Sequence, residues 1–310
     1  MSKARPAAML ARLSAGLLLS LALGVQAQAG HPARLAIIID DVGYNLSLGR
    51  RTAELNGAYT LAVLPMTPHS RELADLARER GKELMLHAPM ASQRALPLGP
   101  GALELGVPRA ELLSRLRQSL ASLPEVVGVN NHMGSAFTEQ ALPLGWIMGE
   151  LKRRDLFFVD SRTTAASVAG QVAQGYGLKS AQRDVFLDHV REPQHIRRQL
   201  TRAITLARQR GSAIAIGHPY PETLAVLEQA AGLLGEQSVQ LVNVSELTRQ
   251  APAGRGSCPL APSQLRGYRP ANLHSPFVLS NSRWWSWRNL INWRYQPAVM
   301  LDKHGISKSG

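Results

Sequence analysis

Two adjacent carboxylates, Asp40-Asp41, close an apolar run and are followed by Val42-Gly43. Four later apolar runs also end in polar residues: Leu86-His87-Ala88-Pro89-Met90, Val129-Asn130-Asn131-His132-Met133-Gly134-Ser135, Val159-Asp160-Ser161-Arg162 and Ile216-Gly217-His218-Pro219. Carboxylates and imidazoles are the side chains that hold a divalent cation and move protons near neutral pH. In an adjacent pair, one aspartate can bind a metal while the other takes a proton from water. Close to a divalent cation both can stay ionised. Side chains alternate along a strand, so the two aspartates are expected not to enter one cleft in the same way. His87 and His132 read as candidate ligands. His218, restrained between Gly217 and Pro219, could act as a general acid, and Asp160 could orient a histidine or Arg162. Each residue also has a plainer reading. Asp40-Asp41 could cap a helix or form a turn with Gly43, the histidines could be satisfied core residues, and His218 could bond backbone. Asp188-His189 is followed by no comparable loop and is left out of the candidate site.

These residues need elements to place them. Short apolar runs recur at 35–39, 60–64, 83–86, 126–129, 156–159, 184–187, 213–216 and 239–242. Between them, helical patterns are expected at 68–80, 108–120, 138–154, 193–210 and 221–234. The second of these opens on Pro108 and repeats Leu112, Leu113, Leu116 and Leu120 at helical spacing. Strands alternating with helices imply parallel βαβ units. Seven or eight such units in a stretch of this length predict an α/β fold, a (β/α)7-type barrel of the glycoside hydrolase or deacetylase kind. An open doubly wound sheet is the alternative. In a barrel the site lies at the C-terminal ends of the strands, where all the polar residues above fall.

The ends of the chain differ from its middle. Residues 1–29 carry Lys3, Arg5 and Arg12, an apolar run from Leu13 to Val25, and the small-x-small triplet Ala27-Gln28-Ala29. This pattern is expected of a secretory signal peptide, with an uncleaved anchor as the alternative. It predicts a periplasmic or secreted protein. Residues 30–250 form the expected folded domain. After Gln250 a linker rich in proline and glycine leads into a segment with Trp284, Trp285, Trp287 and Trp293 among Arg283, Arg288 and Arg294. Residues 251–310 are expected to be a poorly ordered tail, able to make peripheral membrane or glycan contact. The net charge of +13 sits largely at these ends, and the middle is close to neutral with no one-sided basic stripe. No nucleic-acid partner is expected. The single cysteine, Cys258, excludes an intramolecular disulfide framework and a CxxC metal site. The absence of Gly-x-Ser-x-Gly, of a P-loop and of GxGxxG gives a serine hydrolase or a nucleotide enzyme no support.

In order and type, Ile38-Ile39-Asp40-Asp41-Val42-Gly43, Leu86-His87-Ala88-Pro89-Met90, Asn130-Asn131-His132-Met133-Gly134-Ser135, Val159-Asp160-Ser161-Arg162-Thr163 and Ile216-Gly217-His218-Pro219 resemble the blocks of the divergent polysaccharide deacetylases, within the NodB-homology superfamily. The resemblance covers residues 34–248. It implies a metal-dependent hydrolase that removes N- or O-acetyl groups from a polysaccharide or peptidoglycan. By similarity Asp40 would be the base, Asp41 and His87 metal ligands, and His218 the late catalytic histidine. The superfamily's second metal histidine, four residues after the first, is Ala91 here. His132 could replace it from the next strand. The implied cofactor is a divalent metal, with zinc the ion such donors suit. Asn130, Asn131, Ser135, Asp160 and Arg162 are expected in support. Two alternatives remain: a catalytically degenerate barrel that binds glycan or envelope hydrolases, and a metal-free glycosidase using Asp40 and Asp160.

Overall fold

The computed structural model describes residues 32–250 apart from Ala95 and Pro124; the expected signal peptide, the tail and Cys258 lie outside the described residues. The nine strands of the described residues are β1 (Ala33–Val42), β2 (Tyr59–Val63), β3 (Glu83–Met90), β4 (Gly128–Met133), β5 (Phe157–Asp160), β6 (Ser180–Gln182), β7 (Val185–Phe186), β8 (Ser212–Gly217) and β9 (Val239–Leu241). They form one sheet in the order β6-β5-β4-β3-β2-β1-β8-β7, and every pairing is parallel. β9 adds to the start of β1, below the level at which β2 begins.

The two edge strands β6 and β7 belong to one stretch of chain. Its first half pairs with β5 and its second half with β8. Between them, the amide of Arg183 donates to the Asp160 carbonyl at 3.0 Å and that of Asp184 to the Ile214 carbonyl at 2.9 Å. A single split strand therefore spans the seam, and the curled sheet has seven positions. This is the (β/α)7-type arrangement expected from the sequence.

Strand alternation sorts the residues into two cores. Leu35, Ile37 and Ile39 of β1 pack outward with helix residues. Ala36 and Ile38 of the same strand join Ala62, Met85, Phe157, Val159, Ile214 and Ile216 in a second, interior cluster. The outer layer is made by α1 (Leu46–Ala53), α2 (Ser70–Glu79), α3 (Arg109–Ala121), α4 (Ala141–Arg153), α5 (Ala169–Gly175), α6 (Pro193–Arg210), α7 (Pro221–Leu227) and α8 (Ala230–Glu236). In α6, Ile196, Leu200, Ala203, Ile204 and Ala207 recur at helical spacing and are buried, while its arginines face out. Gly211 ends it at φ 80°, a conformation glycine adopts without a Cβ penalty.

The helices depart from the expected pattern in three ways. The stretch expected from 138 begins as a 3-10 turn, Phe137–Glu139, and becomes α4 only at Ala141. Pro143 has no N–H to give, so it fits the first turn of α4 and not a helix interior. The helix expected over 221–234 divides into α7 and α8. Helices α1 and α5 were not expected. Both are short, and α1 is made chiefly by Asn45, whose side chain accepts from the Leu48 amide at 3.0 Å, and by the burial of Gly49, Thr52 and Ala53. No helix of the described residues is long and apolar enough to cross a membrane.

Candidate metal and acid–base site

Alternation along the strands explains which polar side chains gather. Ile38 and Met85 lie in the interior cluster, so Asp40 and His87, two residues on, project inward above them. Ile216 does the same for His218. On β4 the outward residue is Val129, which leaves Asn130 and His132 on the inner side. Asp40, His87 and Asn130 are at most 3% exposed.

Asp41 breaks the expected alternation. Its φ is 57°, in the left-handed region, and the β1–β2 register shifts between Ile39 and Val42. Aspartate tolerates this conformation better than most residues. The turn swings the Asp41 carboxylate back toward the mouth, so both aspartates face His87. Asp41 Oδ1 lies 3.1 Å from His87 Nε2, and Asp40 Oδ2 lies 3.7 Å from the same nitrogen. The two aspartates thus enter the mouth by different routes, Asp40 through strand alternation and Asp41 through the turn.

Asp41 Oδ1, His87 Nε2 and His132 Nδ1 face one another. The carboxylate is 2.7 Å from His132 Nδ1, and the two ring nitrogens are 3.1 Å apart. These three residues form the one group of metal-type donors found among the described residues. Around a tetrahedral ion with bonds of about 2.1 Å, ligand atoms stand about 3.4 Å apart. The donors need to part by about 0.3 to 0.7 Å, a small side-chain adjustment, so the residues fit a divalent cation. His132 thus stands where Ala91 offers no ligand.

Asn130 links the two halves of this centre. Its Nδ2 donates to Asp40 Oδ1 at 2.7 Å, and its Oδ1 lies 2.8 Å from His87 Nδ1. On the other side His218 Nε2 is 3.8 Å from Asp41 Oδ2. The Nδ1 of His218 is bonded to Asp188 Oδ1 at 3.0 Å. Asp188 Oδ2 also accepts from the His218 amide at 2.6 Å and from Thr223 Oγ1 at 2.8 Å. Asp188 is therefore part of the site, contrary to the sequence reading. Its signal lies in packing against β8 and not in any local motif. The His218 ring stacks on Tyr220 with centroids 5.4 Å apart, and the Arg191 guanidinium lies 3.7 Å above the Tyr220 ring.

The remaining expected residues build the frame. Asp160 reaches no histidine. It accepts from the Arg162 amide at 2.8 Å and from Ser167 Oγ at 2.7 Å. Asn131 accepts from the Ser161 amide and donates to the Met133 carbonyl, which ties the ends of β4 and β5 together. Ser135 accepts from the Gln93 amide at 3.0 Å and anchors the loop after β3. Arg162 has φ 52°, and its carbonyl accepts from Arg183 Nη2 at 2.8 Å. Arg183, not expected from the sequence, also donates to the Ser161 carbonyl and so braces the seam beneath the site.

The electrostatics separate the two aspartates. Burial penalises the charge on Asp41, but the His132 and His87 contacts outweigh it and hold its carboxyl well below the usual range. Burial prevails at Asp40 and raises it, against the pull of His87, His218 and Asn130. Burial also opposes charge on His87 and His218, yet Asp40 and Asp41 raise His87, while Asp188, with Asp41 and Asp40 behind it, pushes His218 up to about 9. The arrangement thus offers one firmly anionic ligand, one more basic carboxylate and one histidine that keeps a proton at neutral pH. Two carboxylates held apart in this way are suited to different jobs.

Comparison with known proteins agrees with the geometry. The model of the family described as divergent polysaccharide deacetylase matches residues 37–248. An uncharacterized protein of Haemophilus influenzae is 38% identical over 217 residues, which cover 70% of this chain and 77% of that one. The uncharacterized protein YibQ of Escherichia coli K12 is 40% identical over 217 residues, covering 70% and 68%. The crystal structure of the uncharacterized protein ATU2773 from Agrobacterium tumefaciens C58 superposes with a TM-score of 0.68 at 25% identity, over 71% of this chain and 90% of that one.

Proposed function

The chain belongs to the divergent polysaccharide deacetylase family, and on that premise we propose that it is an exported metal-dependent hydrolase that removes acetyl groups from an envelope glycan. The observation that carries this reading is the convergence of Asp41, His87 and His132 on one point, with Asp40 and His218 on either side. Asp41, His87 and His132 would hold a divalent cation, and two imidazoles with one carboxylate suit zinc. When bound, such an ion lowers the pKa of water and polarises the acetyl carbonyl.

The other steps belong to the chain's own residues. Asp40 keeps Oδ1 on Asn130, which leaves Oδ2 facing the triad to take the proton from water. His218 keeps Nδ1 on Asp188 and turns Nε2 toward the mouth. From there it delivers a proton to the departing amine or alkoxide. Asp188 holds that proton on the ring at neutral pH. The bonds exchanged are the acyl C–N or C–O bond for a C–O bond to water, and acetate leaves. Residues 1–29 support delivery to the periplasm or beyond, where acetylated polysaccharide and peptidoglycan are the accessible polymers.

The test is acetate release from N- and O-acetylated glycans by the full chain, with and without chelator. Release that stops on chelation and returns with zinc supports the proposal. Tight zinc binding with no release from any acetylated polymer would replace hydrolysis by glycan binding or regulation of envelope hydrolases on the same barrel. Hydrolysis of glycosidic bonds without metal would replace it by a carboxylate-pair glycosidase.

A further inference from the structure

We propose that Asn130 is the positioning residue that sets both the metal-binding face of His87 and the oxygen of Asp40 that acts as base. The metal half stands on geometry alone, while the Asp40 half rests on the deacetylase reading.

The argument is a chain of hydrogen-bond necessities. The Asn130 amide is fully buried, so its donor and acceptor ends must both be matched. An ionised Asp40 can only accept, so the NH2 end of Asn130 must face it, as it does at 2.7 Å. The carbonyl end is then committed to His87 Nδ1 at 2.8 Å. A carbonyl cannot donate, so His87 Nδ1 must carry the hydrogen. In the neutral ring this puts the lone pair on Nε2, the nitrogen that faces Asp41 Oδ1 and His132 Nδ1. A flipped amide would set NH2 against His87 and oxygen against a carboxylate. The NH2 end also lies 3.3 Å from Ser161 Oγ, a hydroxyl that can serve either end of the amide, so the orientation is set by Asp40 and His87.

The same amide decides which Asp40 oxygen is available. Oδ1 is occupied by the Asn130 N–H, while Oδ2 points to the triad. Both settings depend on one side chain with a donor and an acceptor on a two-atom fork. Aspartate in its place keeps the acceptor for His87 but loses the donor for Asp40, and alanine loses both.

The experiment uses the full chain with 15N-labelled histidine, zinc as the only added ligand, and the variants Asn130→Ala and Asn130→Asp. Circular dichroism melting first confirms that each is folded. Three readings are taken: the tautomer of His87 in the metal-free protein, at a pH alkaline enough for the ring to be neutral, by long-range 15N–1H correlation; zinc affinity by competition titration; and acetate release. Wild type should show His87 as the Nδ1–H tautomer. Asn130→Ala should lose that preference and bind zinc about 10- to 100-fold more weakly. Asn130→Asp should keep the tautomer and bind zinc no more weakly than wild type, while its kcat falls at unchanged KM. An Asn130→Ala protein with wild-type tautomer and zinc affinity would overturn the metal half. An Asn130→Asp protein with wild-type kcat would overturn the Asp40 half. If wild type releases no acetate, the deacetylase reading fails with the Asp40 half, and the tautomer and affinity readings still decide the rest. Should Asn130→Ala not fold, Asn130→Asp with the tautomer measurement carries the test.

Discussion

Replacing Asp188 by asparagine tests the proton store of the site directly. His218 rises from 6.5 to about 9, and burial by itself would lower it, so the nearby carboxylates more than reverse that cost. Asp188 contributes the most among them. A rise of that size corresponds to about 3 kcal/mol favouring the imidazolium in the folded state. The group is raised on folding, so its stabilising effect is fully present below about pH 6.5 and is lost as pH climbs through about 9. Asparagine keeps the shape of Asp188 but not its charge, and it turns an NH2 toward one of the three donors that the carboxylate satisfies. The variant should therefore be less stable than wild type by about 3 kcal/mol or more near pH 6. Near pH 10 the gap should shrink to the about 1–2 kcal/mol of the mismatched hydrogen bonds. The assay is urea unfolding of both proteins across this range, with chelator present so that metal binding adds no pH dependence of its own. A gap of equal size at pH 6 and pH 10 would refute the reasoning, because Asp188 would then not be what holds the proton on His218.

Other substitutions address the remaining parts. Asp40→Asn should abolish acetate release while zinc stoichiometry, read by elemental analysis, stays near one; wild-type turnover would remove Asp40 from its role as base. Asp41→Ala and His132→Ala should each lose zinc from protein purified without chelator, and retention of zinc by His132→Ala would show that the ligand from β4 is not needed. Gly128→Ala sets a Cβ within about 2.6 Å of Phe157 ring carbons in the interior core, and overpacking of this kind costs about 1–3 kcal/mol. Thermal unfolding should show that loss in Gly128→Ala and a partial recovery when Phe157 is also reduced to leucine; an unchanged melting temperature would mean that the strands part freely there.

Much of the site was legible because alternation carries it. Asp40 follows Ile38, His87 follows Met85 and His218 follows Ile216 by two residues, and the apolar member of each pair is an interior strand residue. The runs that placed these strands also gave the order of the barrel. What escaped was decided by contacts distant in sequence. Asp41 was named from the sequence, but its route into the mouth, a positive φ and a register shift, is a backbone choice that no apolar pattern records. Asp188 earns its place from three donors on His218 and Thr223, about thirty residues away. β6 is three residues long, polar or small, and incompletely buried, so it carries no strand pattern of its own. Asp160, expected to orient a histidine or Arg162, reaches the Arg162 amide and Ser167 and staples its own loop.

The split strand gives the barrel an uneven grip on itself. Six residue pairs join β1 to β8 and six join β3 to β4, three each join β4 to β5 and β5 to β6, and only two join β7 to β8. The metal-type donors sit at the ends of β1, β3 and β4, away from this thinly stitched join, whereas Asp188, two residues past β7, reaches across it to His218. Cooperative opening starts where the fewest bonds must be broken. The ring can therefore gape at its clasp, as a bracelet does, while the setting that holds the stone keeps its shape. Opening at the clasp is therefore expected to part Asp188 from His218 before it disturbs the spacing of Asp41, His87 and His132.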